Sequence, residues 1–100
     1  MLRISIRESK TERLLVLEGK LIIPWTSELI KVASKDPENR PVGDRLVIDL
    51  SEVTDISLDG EEALYFLMVK GAHFRGGGVF IKQVLEQLAQ RVHPEDSNQK

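Results

Sequence analysis

Small polar residues that can cap, accept a phosphate or present charge crowd one short stretch of this 100-residue chain. They are Thr54, Asp55, Ser57 and Asp59, closed by Gly60 and followed by Glu61 and Glu62. The stretch lies just past the apolar run Leu46, Val47, Ile48 and Leu50. A polar turn beyond the carboxyl end of a buried strand is a common seat of function in α/β domains. Asp59 followed by Glu62 has the spacing of a capping box, with Asp in place of Ser or Thr. Ser57 offers a cap to the same helix one turn earlier. Capping and recognition are compatible, because an exposed polar residue at a helix start can do both.

Other chemistry is less well supported. The triple glycine Gly76-Gly77-Gly78 invites a phosphate-loop reading, but such a loop follows a strand and opens a helix, with Lys and Ser or Thr behind it. Here the glycines are expected to follow a helix and open a strand, as a helix stop and turn. His73 and His93 stand far apart, and the acids near His93, Glu95 and Asp96, fall in a polar tail. That is a poor basis for the rigid shell a metal needs, and no metal or other cofactor is expected. Trp25 is in phase with Leu29 and Val32, which makes it a core anchor before an exposed contact. No nucleophile–base pair or paired acid suggests catalysis.

The elements that must position the turn follow from periodicity. Leu2, Ile4 and Ile6 alternate with Arg3, Ser5 and Arg7, a strand with one buried face. Leu14 to Leu17 form an unbroken apolar run, a strand covered on both faces, and Leu21 to Ile23 complete it past Gly19. Pro24 suits a first helical turn, and Trp25, Leu29, Val32 and Ala33 follow as an amphipathic stripe. Ser34 to Asp44 carries Pro37, Asn39, Pro41 and Gly43 and reads as a loop. The next strand holds one interior acid, Asp49, which needs a partner or an edge. A second helix is expected from Asp59 to Phe74, with Leu64, Leu67, Met68 and Gly71 on one face. Glu61 and Glu62 then sit where the dipole favours acids, and Lys70, His73 and Arg75 where it favours bases. Val79, Phe80 and Ile81 are expected to form a further buried strand. Val84, Leu85, Leu88 and Val92 outline a last helix. The order is ββαβαβα, an α/β fold with a mixed sheet of about four strands and helices packed on it, since helical crossovers join parallel strands right-handedly. Residues 1–93 make one domain, and 94–100 a disordered tail.

The bulk properties set limits. Net charge is −2 with both signs interspersed, so nothing in the composition drives binding to nucleic acid or to an anionic membrane. There is no cysteine, which removes disulfides and thiolate chemistry. The first residues lack the continuous apolar core of a signal peptide, and no apolar run approaches the ~20 residues of a spanning helix. The expected location is the cytoplasm.

The element order, the Asp49–Gly60 stretch DLSEVTDISLDG and the Gly-rich segment Gly76–Gly78 resemble a STAS domain, from about Leu14 to Val92. This family is shared by sulfate transporters and bacterial anti-sigma-factor antagonists. Length and the absence of membrane segments favour the free-standing antagonist type. The resemblance implies a non-enzymatic module that binds an anti-sigma factor, often itself a serine kinase, and is released when a Ser or Thr at the start of the second helix is phosphorylated. A phosphate adds about −1.5 to −2 charges there. The family turn reads Asp-Ser-Ser-Gly or Asp-Ser-Thr-Gly. Alignment on Asp49-Leu50-Ser51 and Gly60 puts Ser57 on the family's Asp, Leu58 on its first Ser and Asp59 on the phosphoacceptor. Glu61 replaces an apolar residue. The resemblance therefore implies a partner surface at Thr54, Asp55, Ser57, Leu58, Asp59, Gly60 and Glu61. Two readings follow: a constitutive module locked by the permanent charge of Asp59, or an acceptor displaced to Ser57, then Thr54. An accessory subunit binding the ATPase of a lipid transporter is the runner-up within the family. A ligand sensor is a third reading, opposed by the acids at the helix start.

Overall fold

The computed structural model describes residues 2–34 and 45–92. Strands β1 (Leu2–Glu8) and β2 (Glu12–Leu21) form an antiparallel hairpin, with Leu2 opposite Gly19 and Glu8 opposite Arg13. Helix α1 (Trp25–Ser34) follows, then β3 (Arg45–Ile56), helix α2 (Leu58–Val69), the short strand β4 (His73–Arg75) and helix α3 (Val79–Val92). The sheet order is β1-β2-β3-β4, and β3 lies parallel to both of its neighbours. The order ββαβαβα and the mixed four-stranded sheet are those expected from the sequence. The expected loop at 35–44, His93 and the tail at 94–100 lie outside the described residues.

One apolar cluster holds the layers together. Leu15, Leu17 and Leu21 of β2 and Ile48 and Leu50 of β3 meet Leu29 of α1, Leu64 and Leu67 of α2, and Ile81, Val84 and Leu88 of α3. All three helices thus cover one face of the sheet. Leu14 and Val16, on alternate positions of β2, stay half-buried, so β2 is not fully covered on both faces as the apolar run suggests. Trp25 packs against the cluster from its rim, in its expected role.

Three boundaries differ from the sequence reading. Helix α2 ends at Val69, not at Phe74. Gly71 takes φ 98°, its amide donates to the Met68 carbonyl and that of Ala72 to the Leu67 carbonyl. This is a Schellman stop, in which a left-handed glycine closes the last turn. Gly71 continues the apolar stripe in spacing, which hid its role as the terminator. His73 and Arg75 are therefore strand residues and not the cationic end of the helix.

The second difference is the expected strand at Val79–Ile81, which is the first turn of α3. Gly76 and Gly77, with φ 80° and 90°, swing the chain out of β4, and Lys82 donates its amide to Gly78. Ile81, Val84, Leu85, Leu88 and Val92 form one continuous helical stripe, so the apolar run Val79–Ile81 belongs to the helix that buries Ile81. The glycines thus follow a strand and open a helix, the reverse of the expected order. The third difference is at β3, which runs on to Ile56, so Thr54 and Asp55 are strand residues rather than turn residues. Register shifts between Val16 and Glu18 and between Gly19 and Lys20 let β2 keep pairing as far as Leu21 with Ile56.

Candidate functional site

The start of α2 is tied to the end of β2. Ser57 is the N-cap, in extended conformation, and its Oγ accepts the Gly60 amide at 3.1 Å. Its own amide donates to the Leu21 carbonyl at 3.1 Å, and its Oγ donates to the same oxygen at 3.5 Å. Thr54 Oγ1 donates to the Gly19 carbonyl at 3.3 Å. The two hydroxyls of the stretch therefore lean on the Gly19 and Leu21 carbonyls of β2. Gly60 is needed for space: a Cβ there would run into the Leu21 carbonyl oxygen and meet Ile56 Cγ2 at 3.0 Å. Between these anchors the turn has little room to move.

On this base the side chains sort into anchors and exposed groups. Ser57 is half-buried and Gly60 buried, whereas Asp55, Leu58 and Asp59 are exposed and Glu61 is half-buried. Leu58 is 78 % exposed, the barest large apolar side chain of those described, and Ile23, 61 % exposed, follows β2 two residues after Leu21. Asp59 and Glu61 lie in the first helical turn, where the dipole favours acids. Ser57, one of the two candidate caps, is the cap; Asp59 is not.

Helix α3 adds a residue the sequence did not single out. Arg91 reaches Glu62 with Nη1 at 3.1 Å and Nη2 at 3.5 Å, and its guanidinium stacks 4.1 Å from the Tyr65 ring centroid. The hydrogen bonds that Arg91 donates to the Glu62 carboxylate raise its pKa above the usual value. No sequence signal pairs Arg91 with Glu62, because 29 positions separate them.

A second polar cluster lies lower on β3. Ser51 donates its hydroxyl at 2.6 Å and its amide at 2.8 Å to Asp49 Oδ1, and Arg75 Nε stands 3.5 Å from Oδ2. The Ser51 bonds, then Arg75, hold the Asp49 carboxyl below its usual range, against the opposing effect of burial. This supplies the partner that an interior acid requires. Among the described residues no group of three or more His, Asp or Glu is placed to hold a metal. No helix among them is long and apolar enough to cross a membrane.

A polar, capped turn set between β3 and α2 of a mixed sheet invites comparison with solved structures. The chain is similar to the crystal structure of an anti-sigma-factor antagonist, a STAS domain from Rhodobacter sphaeroides, with 25% identity and a TM-score of 0.57 over 77% of this chain and 86% of that one. The fold is a STAS fold. No family model matches the sequence, and no curated protein matches it. The STAS likeness thus rests on how the elements are arranged in space more than on residue identity. In this STAS fold the turn at Ser57–Gly60 sits at the start of α2, as the resemblance implied, while Thr54 and Asp55 approach it from the last residues of β3.

Proposed function

We propose that this STAS domain is a non-enzymatic protein-interaction module of the anti-sigma-factor-antagonist kind, working in the cytoplasm. Its partner is an anti-sigma factor or a serine-kinase-like protein, met through Thr54, Asp55, Ser57, Leu58, Asp59, Gly60 and Glu61. One observation carries the reading. Leu58 stands almost bare at the tip of a turn that is braced on β2 and flanked by carboxylates. An exposed apolar side chain on a rigid base needs little ordering when a partner covers it.

The regulation follows from Asp59. It occupies the family's phosphoacceptor position and carries a permanent negative charge, so partner binding is constitutive rather than switched there. The geometry favours this over a displaced acceptor. Phosphorylation of Ser57 takes away the hydroxyl proton that bonds the Leu21 carbonyl, and phosphorylation of Thr54 the one that bonds the Gly19 carbonyl. An accessory role on a transporter ATPase would use the same surface. A gene neighbourhood rich in transporter ATPase and permease genes favours that role, and one with anti-sigma or kinase genes favours the first.

Affinity capture from the native lysate, with wild-type, Asp59→Lys and Leu58→Asp baits, tests the reading. The expected result is an anti-sigma factor or serine kinase on the wild-type bait that is lost on both variants. The same proteins on all three baits would overturn the assignment of this surface.

A further inference from the structure

The charge pattern reverses at the far end of α2. Arg91, near the end of α3, touches Glu62 and Tyr65 in the first half of α2, whereas α3 starts soon after α2 ends, separated only by β4 and its flanking turns. The two helices are therefore antiparallel, and the last turn of α2 shares one end of the molecule with the first turn of α3. Between Ala63 and Leu85 the sequence contains no Asp or Glu, but it contains Lys70, Arg75 and Lys82. Arg75 leans on Asp49, while neither Lys70 nor Lys82 has an ion-pair partner among the described residues.

The same end exposes bulky apolar groups. Val79 is 75 % exposed, Phe80 and Val69 55 % each, and Phe66 carries Lys70 Nζ over its ring at 5.4 Å. Singly, exposed apolar residues mean little, but here they share one end with Lys70 and Lys82, which have no ion-pair partner among the described residues. Burial of the core does not require this: Ile81, Val84 and Leu88 already face inward from α3.

We propose that this end of the molecule, the last turn of α2 with the first turn of α3, docks peripherally on an anionic lipid bilayer. Valine and phenylalanine enter the headgroup boundary, and the lysines reach the lipid phosphates with their stems laid along the apolar side chains. A bilayer fits better than a protein groove, because protein interface cores exclude lysine. It fits better than nucleic acid, because exposed valines gain nothing from a phosphate backbone. The acidic start of α2 lies at the opposite end of the helix pair, so a docked molecule still presents Leu58 and Asp59. The proposal stands independently of the partner reading.

The test is co-sedimentation of the full chain with vesicles of phosphatidylcholine alone and of phosphatidylcholine mixed with phosphatidylglycerol. The expected result is binding to the mixed vesicles stronger by roughly tenfold or more, weakened by salt. Two double variants, V79S/F80S and K70E/K82E, are each expected to abolish it while circular dichroism shows the fold intact. Asp59→Lys is expected to retain it. Equal binding to both vesicles, or none to the mixed ones, would overturn the proposal. So would loss in K70E/K82E with full retention in V79S/F80S, which marks a site for an acidic polymer instead of a bilayer.

Discussion

Ser57 and Asp59 stand two positions apart yet differ in what they do for the fold. Ser57 accepts the Gly60 amide and leans on Leu21, whereas Asp59 acts on α2 only through the helix dipole. Ser57→Ala is expected to cost about 1 kcal/mol, as for other N-cap losses, and to strip the Gly60 amide of exchange protection. Asp59→Asn is expected to leave that amide protected. Urea unfolding and amide exchange read both. Asp49 gives a second test at this scale. Its folded pKa lies below the ordinary value of 3.8, chiefly through Ser51 and then Arg75. A depressed carboxyl contributes stability that is fully present above the unfolded pKa and lost as pH falls through the folded one. Acid unfolding of the wild type is therefore expected to steepen below the ordinary value, and Asp49→Asn to lose that part of the pH dependence. An unchanged acid limb in the variant would contradict the assignment. The need for a partner at Asp49 was legible, because an acid among apolar strand residues cannot stay unpaired. The identity of its partners is not, because Ser51 carries no mark of that role and the periodicity sets Arg75 at the end of a helix rather than on the strand beside Asp49.

At the scale of elements, the β3–α2 junction depends on a close approach of backbones. Gly60→Ala would push a methyl group into the Leu21 carbonyl, which belongs to β2 and cannot step aside as a side chain would. A loss of about 1–3 kcal/mol is expected, as for other overpacked sites, with thermal unfolding as the readout. Gly60 is not at a positive φ, so the requirement is one of space. The element boundaries show where periodicity fails. Gly71 matches the apolar face of α2 in spacing but ends the helix through its left-handed backbone. The run Val79–Ile81 has strand-like residues, yet three glycines before it and the stripe from Ile81 to Val92 place it in a helix. Short apolar runs are ambiguous by composition, and the deciding contact here is Ile81 against the core.

At the scale of the whole molecule, a net charge of −2 conceals a division. Carboxylates gather at the start of α2, and an acid-free span from Ala63 to Leu85 gathers cations and bare apolar groups at its other end. Composition averages these two ends, so it excludes an anionic surface as partner where the arrangement favours one. The antiparallel packing of α3 on α2 creates both ends at once, because Arg91 closes on Glu62 while Val79 and Phe80 remain at the open end.

The sequence by itself determined the order ββαβαβα, the STAS-like arrangement and the place of the polar turn. Alternating strands and helical stripes are local signals with a period of two or of 3.6, and the run of small polar and acidic residues at the turn is a local signal of composition. Only the tertiary structure decided that Ser57 caps α2, that Gly60 must lack a side chain, that β4 is His73–Arg75, and that Arg91 faces Glu62. The cap is a local choice between Ser57 and Asp59 that spacing alone leaves open; the other three depend on contacts between segments far apart in the chain, and local periodicity carries no record of such contacts.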